Sequence, residues 1–151
     1  MFSFLYLLFG KKLTKRYDEI IKTRLPDGKQ PRFLLLYCTC NDFNEDALFT
    51  CMQQDYENFE TVILDDSSKA EYQRRIDEFA KKTGVKVARR ENREGFKAGN
   101  LNAYLRGRTD YDYFVVLDSD ERIPKEYIKE TLKYYAYSSE VGVVQAAHKA
   151  T

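Results

Sequence analysis

The sequence predicts an α/β fold built on an open, mostly parallel sheet with helices on both faces. Apolar runs of strand length recur along the chain, and the run at 32–40 is continuous, as expected for a parallel strand covered on both sides. A helical pattern follows each of the first four runs. The chain has 151 residues, 43% of them hydrophobic, which is enough for the core of one domain.

Five strands and four helices are expected in alternation. The strands are predicted at 32–40, 59–66, 85–90, 113–120 and 141–147, and the helices between them at 44–54, 69–84, 95–107 and 124–137. Because crossover connections keep such strands parallel, their carboxyl ends should share one edge of the sheet, where folds of this kind bind ligands.

Polar residues, a glycine and a proline mark the helix boundaries. Asn44 is the expected N-cap of the first helix. Ser68 and Glu71 form a capping-box pattern at the second helix, which should end at Gly84. Pro124 is expected to open the last helix.

Residues 1–31 are predicted to form a separate segment, with a turn-rich linker at 25–31, and 32–151 the main domain. The first nine or so residues are apolar, which is too few to span a bilayer, since that takes about 20 residues. Residues 1–32 hold eight Lys/Arg against three Asp/Glu, a net charge of +5. No small-residue cleavage site follows, which disfavours a signal peptide.

This segment has two membrane-related interpretations: the cytosolic end of a longer transmembrane helix, or an interfacial helix with a basic collar. An ordinary helix packed on the domain is the alternative. The membrane interpretations predict a protein associated with the cytoplasmic face of a membrane through its N-terminus.

Composition disfavours several other classes. The net charge of +1 gives no overall nucleic-acid signature, so no nucleic-acid partner is expected. The three cysteines are odd in number and there is one histidine, which disfavours a zinc site and indicates reduced thiols in a cytosolic environment.

Acidic residues stand where three predicted strands end. Asp42 follows the first strand, Asp65 and Asp66 end the second, and Asp118 and Asp120 end the fourth. Carboxylates gathered at one edge would raise one another's pKa values unless a cation or hydrogen-bond donors offset the repulsion.

Asp118 and Asp120 are two residues apart, so in an extended segment their side chains would point the same way. Two hard oxygen ligands suit Mg²⁺ or Mn²⁺, with water and a diphosphate completing the coordination. The alternative is that these acids are ordinary loop and helix-capping residues.

The start of the third predicted helix is unusual. Gly95 and Gly99 each cost up to about 1 kcal/mol there relative to alanine, but they would let the backbone approach a ligand or a strand closely. Lys97 in the first turn opposes the helix dipole, and a nearby diphosphate would offset that cost. Alternatively, Gly99 and Ala98 pack on the sheet and Lys97 lies in solvent.

Four motifs in this order resemble the inverting family-two glycosyltransferases, which have a Rossmann-like GT-A fold, and in particular the cellulose-synthase-like and other polysaccharide synthases. The motifs are Thr39-Cys40-Asn41, Asp65-Asp66-Ser67-Ser68, Lys97-Ala98-Gly99-Asn100-Leu101-Asn102 and Asp118-Ser119-Asp120. The resemblance covers about residues 32–148 and implies a truncated domain that holds the nucleotide-sugar-binding half.

The resemblance also implies roles for individual residues. Thr39 and the acid pair Asp65/Asp66 would hold the base and ribose of a nucleotide sugar, usually uridine. Lys97 would approach the diphosphate and Asn102 would brace its loop. Asp118 would contact the nucleotide sugar and, with Asp120, form a DxD motif that holds Mg²⁺ or Mn²⁺. Gln145 and His148 match a segment in which a glutamine and a histidine recur.

The sequence departs from the family in two ways. Cys38 and Cys40 stand where proline and tyrosine are commoner. The acceptor-side half, with its general-base acid and QxxRW motif, has no counterpart here, so no catalytic base is assigned.

The expected function is transfer of a sugar, with inversion, from a nucleotide-diphospho-sugar such as a UDP-sugar to a glycan or lipid-linked acceptor. One alternative is a non-catalytic fragment that binds a nucleotide sugar or a membrane surface. Another is a metal-dependent phosphatase, which would need a nucleophilic aspartate at the end of the first strand, where Thr39-Cys40-Asn41 stand.

Overall fold

The computed structural model describes residues 16–25, 28 and 30–146. Contacts divide the chain into two units. Among the described residues, one unit comprises 30–125 and holds the sheet, and the other combines those of 16–28 with 126–146. The predicted division into 1–31 and 32–151 stays a prediction.

The sheet has four parallel strands in the order β3-β2-β1-β4. The strands are β1 (Phe33–Thr39), β2 (Phe59–Asp65), β3 (Lys86–Arg89) and β4 (Tyr113–Leu117). Helices α1 (Glu45–Cys51), α2 (Ala70–Thr83) and α3 (Phe96–Leu105) connect them in turn. The strand order reverses direction at β1, so the carboxyl ends of β1 and β4 flank a topological switch point, the usual ligand position in open α/β sheets.

Both faces of β1 are buried, which explains its continuous apolar sequence. On one face, Leu34, Leu36 and Cys38 form a cluster with β2, against which α3 packs through Leu101 and Tyr104. On the other face, helices α1 and α2 contribute the buried side chains Ala47, Leu48, Cys51, Ile76 and Phe79. The predicted fold class, with helices on both faces, is confirmed.

Two predicted helix boundaries are confirmed. The Asn44 side chain accepts a hydrogen bond from the Ala47 N–H at 3.1 Å, as an N-cap should. Gly84 adopts the left-handed conformation at φ 76° and ends α2, where its N–H donates to the Ala80 carbonyl.

The predicted capping box at Ser68 is wrong. The N-cap of α2 is Lys69, whose side chain makes no capping hydrogen bond. Instead, the Asn41 carboxamide oxygen accepts from the N–H groups of Ser68 at 3.0 Å and Lys69 at 2.9 Å. The Ser68 N–H is the donor that Glu71 would bind in a capping box, so a side chain from the end of β1 takes the place of that bond.

The last helix, α4 (Tyr127–Tyr137), begins three residues after Pro124, its predicted start. Hydrogen bonds from the residues after α1 hold the stretch that precedes α4. The Pro124 carbonyl accepts from Gln54 Nε2 at 3.1 Å, and the Lys125 carbonyl accepts from the Asp55 N–H at 2.7 Å.

The fifth predicted strand is also wrong over its described part, 141–146, which is irregular. Val143 is 84% exposed, so its apolar side chain is not anchored in a core. A strand also needs a backbone partner, and the described residues of this stretch pair with no strand of the sheet.

The N-terminal segment falls mostly outside the described residues, which begin at 16 with a short helical stretch at 16–21. Within the described part of the chain, no helix combines the length and apolar character that crossing a membrane requires.

We predict that Leu36→Ala lowers the free energy of unfolding by about 2–5 kcal/mol, because it opens a cavity in the fully buried central strand. Denaturant titration measures the loss. Leu101→Ala is the control, since this partly buried leucine of α3 packs on the edge of the same cluster and should cost less. Equal losses would contradict the central position of Leu36.

Candidate functional site

A cleft of about 180 Å³ lies at the carboxyl ends of β1, β2 and β4. It is lined by Cys38, Thr39, Cys40 and Asp42 from β1 and the turn after it, Leu64 and Asp66 from β2 and its end, Arg93, Phe96, Lys97 and Asn100 from α3 and the loop before it, and Asp118 and Ser119 after β4. Small-molecule sites commonly have about 300–1,000 Å³, so this cleft encloses part of a molecule of nucleotide size.

Asp42 organises the end of β1. Its carboxylate accepts hydrogen bonds from the Thr39 hydroxyl at 2.8 Å, the Cys40 N–H at 2.7 Å and the Ser119 hydroxyl at 2.7 Å. Burial would raise the pKa of Asp42, but these hydrogen bonds outweigh it and hold the pKa below its ordinary value. The carboxylate therefore stays ionised and joins β1 to the segment after β4.

Tyr37 gives the segment after β4 a second attachment. Its buried hydroxyl donates to the Ser119 carbonyl at 2.8 Å. Burial raises the pKa of Tyr37 to about 12, so the hydroxyl remains a donor at physiological pH. The turn that carries Asp118 and Asp120 is thus fixed to β1 through Ser119.

The two acids at the end of β2 have different surroundings. The Asp65 side chain is fully buried, accepts from Arg89 Nε at 2.6 Å and the Ser67 N–H at 2.8 Å, and does not line the cleft. Asp66 does line the cleft, and its carboxylate accepts two hydrogen bonds from Arg90, at 2.9 and 2.7 Å.

Arg90 connects Asp66 to the start of α3. Besides its two bonds to Asp66, its guanidinium donates to the Glu94 carbonyl at 2.7 Å and the Phe96 carbonyl at 2.9 Å, and its side chain is 12% exposed. Hydrogen bonding to Asp66 raises the pKa of Arg90. Sequence reasoning missed this residue, although the consecutive arginines at the end of β3 matched the consecutive acids at the end of β2.

The glycines before and within α3 permit this arrangement. Gly95 has φ 70°, and a Cβ on Gly99 would lie 1.9 Å from the Glu94 carbonyl oxygen. The predicted close approach is therefore present, but the group that approaches Gly99 is the preceding loop and not a strand.

The cleft contains two cationic side chains. Lys97 forms an ion pair with Asp118, and both side chains are exposed. The Arg93 guanidinium contacts the Cys40 thiol. Below them, burial raises the pKa of Cys38 to about 11, so that thiol stays neutral.

The structure brings four of the predicted site residues together, since Thr39, Asp66, Lys97 and Asp118 line one cleft. Asn102 is exposed on α3 and does not line it, whereas the neighbouring Asn100 is buried and does. Gln145 is exposed in the other unit, and His148 lies outside the described residues.

The segment after β4 is not extended as predicted. The Glu121 N–H donates to the Asp118 carbonyl at 3.1 Å, which closes a turn over 118–121, so alternation along a strand does not relate Asp118 to Asp120. Asp120 is exposed and does not line the cleft. Within the described residues, no hydrogen bond or ion pair engages its carboxylate.

The described residues contain no group of three or more His, Cys, Asp or Glu side chains arranged to hold a metal. Asp118 and Asp120 offer two hard carboxylates. Mg²⁺ is commonly held by one or two carboxylates together with water and substrate phosphates. Two carboxylates are too few for a site made of protein ligands alone, and Asp120 lies outside the cleft that Asp118 lines, so these acids fit only a cation whose other ligands come from water and a diphosphate.

We predict that Arg90→Ala lowers the free energy of unfolding by about 3–5 kcal/mol, because it leaves the Asp66 carboxylate buried without its partner. Hydrogen exchange at the amides of 94–99 should accelerate, since two carbonyls of that turn lose their donor. Arg106→Ala, at an exposed arginine after α3, is the control and should change stability little. Unchanged exchange at 94–99 in Arg90→Ala would contradict the positioning role.

Comparison with known proteins identifies relatives of this chain. The family model for "Glycosyl transferase family 2" matches residues 38–150, more than half of the chain. The chain is 27% identical over 104 residues to a cellulose synthase catalytic subunit [UDP-forming] of Pseudomonas fluorescens (strain SBW25), covering 68% of this chain and 13% of that protein. It is 30% identical over 92 residues to cellulose synthase 1 of Komagataeibacter xylinus, covering 61% of this chain and 6% of that protein.

Solved structures support the fold. The crystal structure of S. aureus TarS 1-349 in complex with UDP-GlcNAc superposes with a TM-score of 0.58 at 22% sequence identity, covering 76% of this chain and 37% of TarS 1-349. The complex of the same protein with UDP gives the same TM-score and identity and covers 38% of that chain. The chain thus spans well under half of the relatives it matches, and its expected GT-A-type fold is confirmed. On the match over residues 38–150, the chain belongs to glycosyl transferase family 2.

Proposed function

We propose that this chain holds the donor-binding site of a glycosyltransferase that moves a sugar from a UDP-sugar, with inversion, to a glycan or lipid-linked acceptor. The observation that carries the proposal is the pairing of Lys97, in the first turn of α3, with Asp118 across a cleft at the carboxyl edge of the sheet. The positive charge of Lys97 suits a diphosphate, and the negative charge of Asp118 suits the metal cation that accompanies a diphosphate.

The diphosphate is assigned to the start of α3. Helix N-termini attract anions because their first backbone N–H groups are unpaired and the helix dipole is positive there. Lys97 and Arg93 add two positive charges at the same wall of the cleft. The positive charge of Lys97 lies at the positive end of its own helix dipole. A bound diphosphate would offset the repulsion between the two.

The nucleoside is assigned to the side of the cleft formed by β1 and β2. Each Asp66 carboxylate oxygen accepts one hydrogen bond from Arg90, which leaves capacity to accept from a base N–H or a ribose hydroxyl. Thr39 lies on the adjacent strand. Asp65, enclosed by Arg89 and Ser67, would support the end of β2 without touching the nucleoside, and Asn102 would brace α3.

Asp118 and Asp120 would hold Mg²⁺ or Mn²⁺ together with diphosphate oxygens. Such an ion neutralises charge that develops on a departing diphosphate. Asp120 supports this assignment because, within the described residues, its exposed carboxylate has no competing partner. Asp118 would exchange its contact with Lys97 for the cation, and Lys97 would turn to the diphosphate.

The comparisons support the donor class. One cellulose synthase relative is named as UDP-forming, and the TarS structures contain UDP-GlcNAc or UDP. Inverting transfer also needs a base that deprotonates the acceptor hydroxyl, and we assign that role to none of the described residues.

We further propose that the segment at 1–31 associates with the cytoplasmic face of a membrane. Its support is the apolar start followed by lysines and an arginine at 11–16, an arrangement typical of interfacial anchors.

Calorimetric titration of UDP, GDP and ADP, with and without Mn²⁺, tests the donor site. We expect UDP to bind most tightly, to need Mn²⁺ and to lose most of its affinity in Asp120→Ala, because removal of one carboxylate weakens the shared cation. Asp46→Ala, at an exposed aspartate of α1 outside the cleft, should bind UDP as the unaltered protein does.

Metal-independent UDP binding in Asp120→Ala would count against the DxD assignment. Incubation with UDP-sugars then separates catalysis from binding. UDP binding without transfer or donor hydrolysis would favour the non-catalytic alternative.

Co-sedimentation with lipid vesicles tests the membrane proposal. We expect binding to vesicles that contain phosphatidylserine, and loss of it in the charge-reversed variant Lys11→Glu/Lys12→Glu, since each basic residue near an anionic surface contributes about 1 kcal/mol. Lys81→Glu/Lys82→Glu, at exposed lysines of α2, is the matched control. Equal binding by both variants would refute a role for the N-terminal segment.

A further inference from the structure

Phe96 occupies a position that the fold does not explain. It is the first residue of α3, its φ is 50°, and its side chain is 80% exposed. A left-handed backbone is unfavourable for a bulky side chain, and a phenyl ring that stays exposed lacks most of the stabilisation that burial would give. Residues held in this way cluster at ligand sites, and Phe96 lines the cleft.

The surrounding loop enforces this conformation. Gly95, immediately before, is also left-handed, and the Phe96 N–H donates to the Arg93 carbonyl at 3.2 Å. The Phe96 carbonyl accepts from Arg90, whose other bonds reach Asp66 and Glu94. The backbone of Phe96 is thus fixed to the end of β2, while its ring remains outside the core.

The charges beside the ring limit what it can contact. Arg93 and Lys97 stand on either side in the sequence and line the same cleft, which makes them the partners of the phosphates. The face of a phenyl ring carries negative potential and is a poor neighbour for phosphate oxygens. An uncharged, planar group such as a nucleobase suits it, and the aliphatic Leu64 side chain adds apolar lining to the cleft.

We propose that the Phe96 ring stacks on the nucleobase of the donor. This inference rests on the proposed function and adds a contact to the same site. Every base has a π face, so the stack contributes affinity with little selectivity, and choice of base is left to polar groups such as Asp66 and Thr39.

The test compares Phe96→Asn with Phe96→Tyr. Asparagine tolerates the left-handed backbone but has no ring, whereas tyrosine keeps the ring. Titrations with UMP, UDP and inorganic pyrophosphate, in the presence of Mn²⁺, separate base from phosphate contacts. We expect Phe96→Asn to weaken UMP and UDP binding by about 5- to 150-fold, the range typical of a lost base–aromatic stack, and to leave pyrophosphate binding unchanged. Phe96→Tyr should bind all three ligands as the unaltered protein does.

The outcomes separate the stack from the proposed function. UDP binding in Phe96→Asn equal to that of the unaltered protein overturns the stack and leaves the donor site standing. Equal losses for pyrophosphate and UDP overturn it as well, because the ring would then act only through the shape of the helix start. If the unaltered protein binds neither UMP nor UDP, the proposed function fails and the stack fails with it. A melting temperature of Phe96→Asn at or above that of the unaltered protein verifies its fold, since the ring is exposed.

Discussion

The pairing of acids at the end of β2 with arginines at the end of β3 is the interaction on which the cleft depends. Asp65 and Asp66 are both buried, and an ionised carboxylate removed from water needs a charged or hydrogen-bonding partner. Parallel register sets Asp65 opposite Arg89, and Arg90 follows beside Asp66. Because Arg90 also donates to the carbonyls of Glu94, just before α3, and of Phe96, its first residue, the same ion pair sets where that helix begins.

Most acids at the carboxyl edge of the sheet are paired with basic or hydrogen-bonding groups of the same chain. Asp65 and Asp66 have arginine partners, Asp118 has Lys97, and Asp42 accepts hydrogen bonds from β1 and Ser119. Hydrogen-bond donors, one of the two kinds of compensation expected from the sequence, therefore offset much of the repulsion between these acids. Within the described residues, Asp120 stands apart, with no such partner for its carboxylate. A cation at this edge would have to be shared with a bound molecule, since the described residues offer few carboxylates that are not already paired.

The start of α3 combines several locally unfavourable choices. Gly95 and Phe96 are left-handed, Gly99 lacks a side chain, and Lys97 opposes the helix dipole. Each of these features has a partner in the structure: Arg90 fixes the turn, the Glu94 carbonyl lies close to Gly99, and Asp118 pairs with Lys97. Unfavourable local conformations that the surrounding contacts hold in place are typical of ligand-binding regions.

Sequence alone was sufficient for the alternation of strands and helices from β1 to β4, the burial of both faces of β1 and the expectation of a cleft at the carboxyl edge. These follow from apolar periodicity and from the handedness of crossover connections, which act through short-range sterics and burial. The N-cap at Asn44 and the end of α2 at Gly84 were also predictable, because each depends on contacts within one helical turn.

Tertiary structure alone decided which polar groups meet. Asn41 accepts from the Ser68 N–H in place of the predicted capping box, and Gln54 and Asp55 donate to the carbonyls that precede α4, so partners distant in sequence decided these contacts. A turn replaced the extended segment at 118–121. The separate surroundings of Asp65 and Asp66 had the same origin, since strand register, which neighbouring residues do not encode, places each arginine beside its acid.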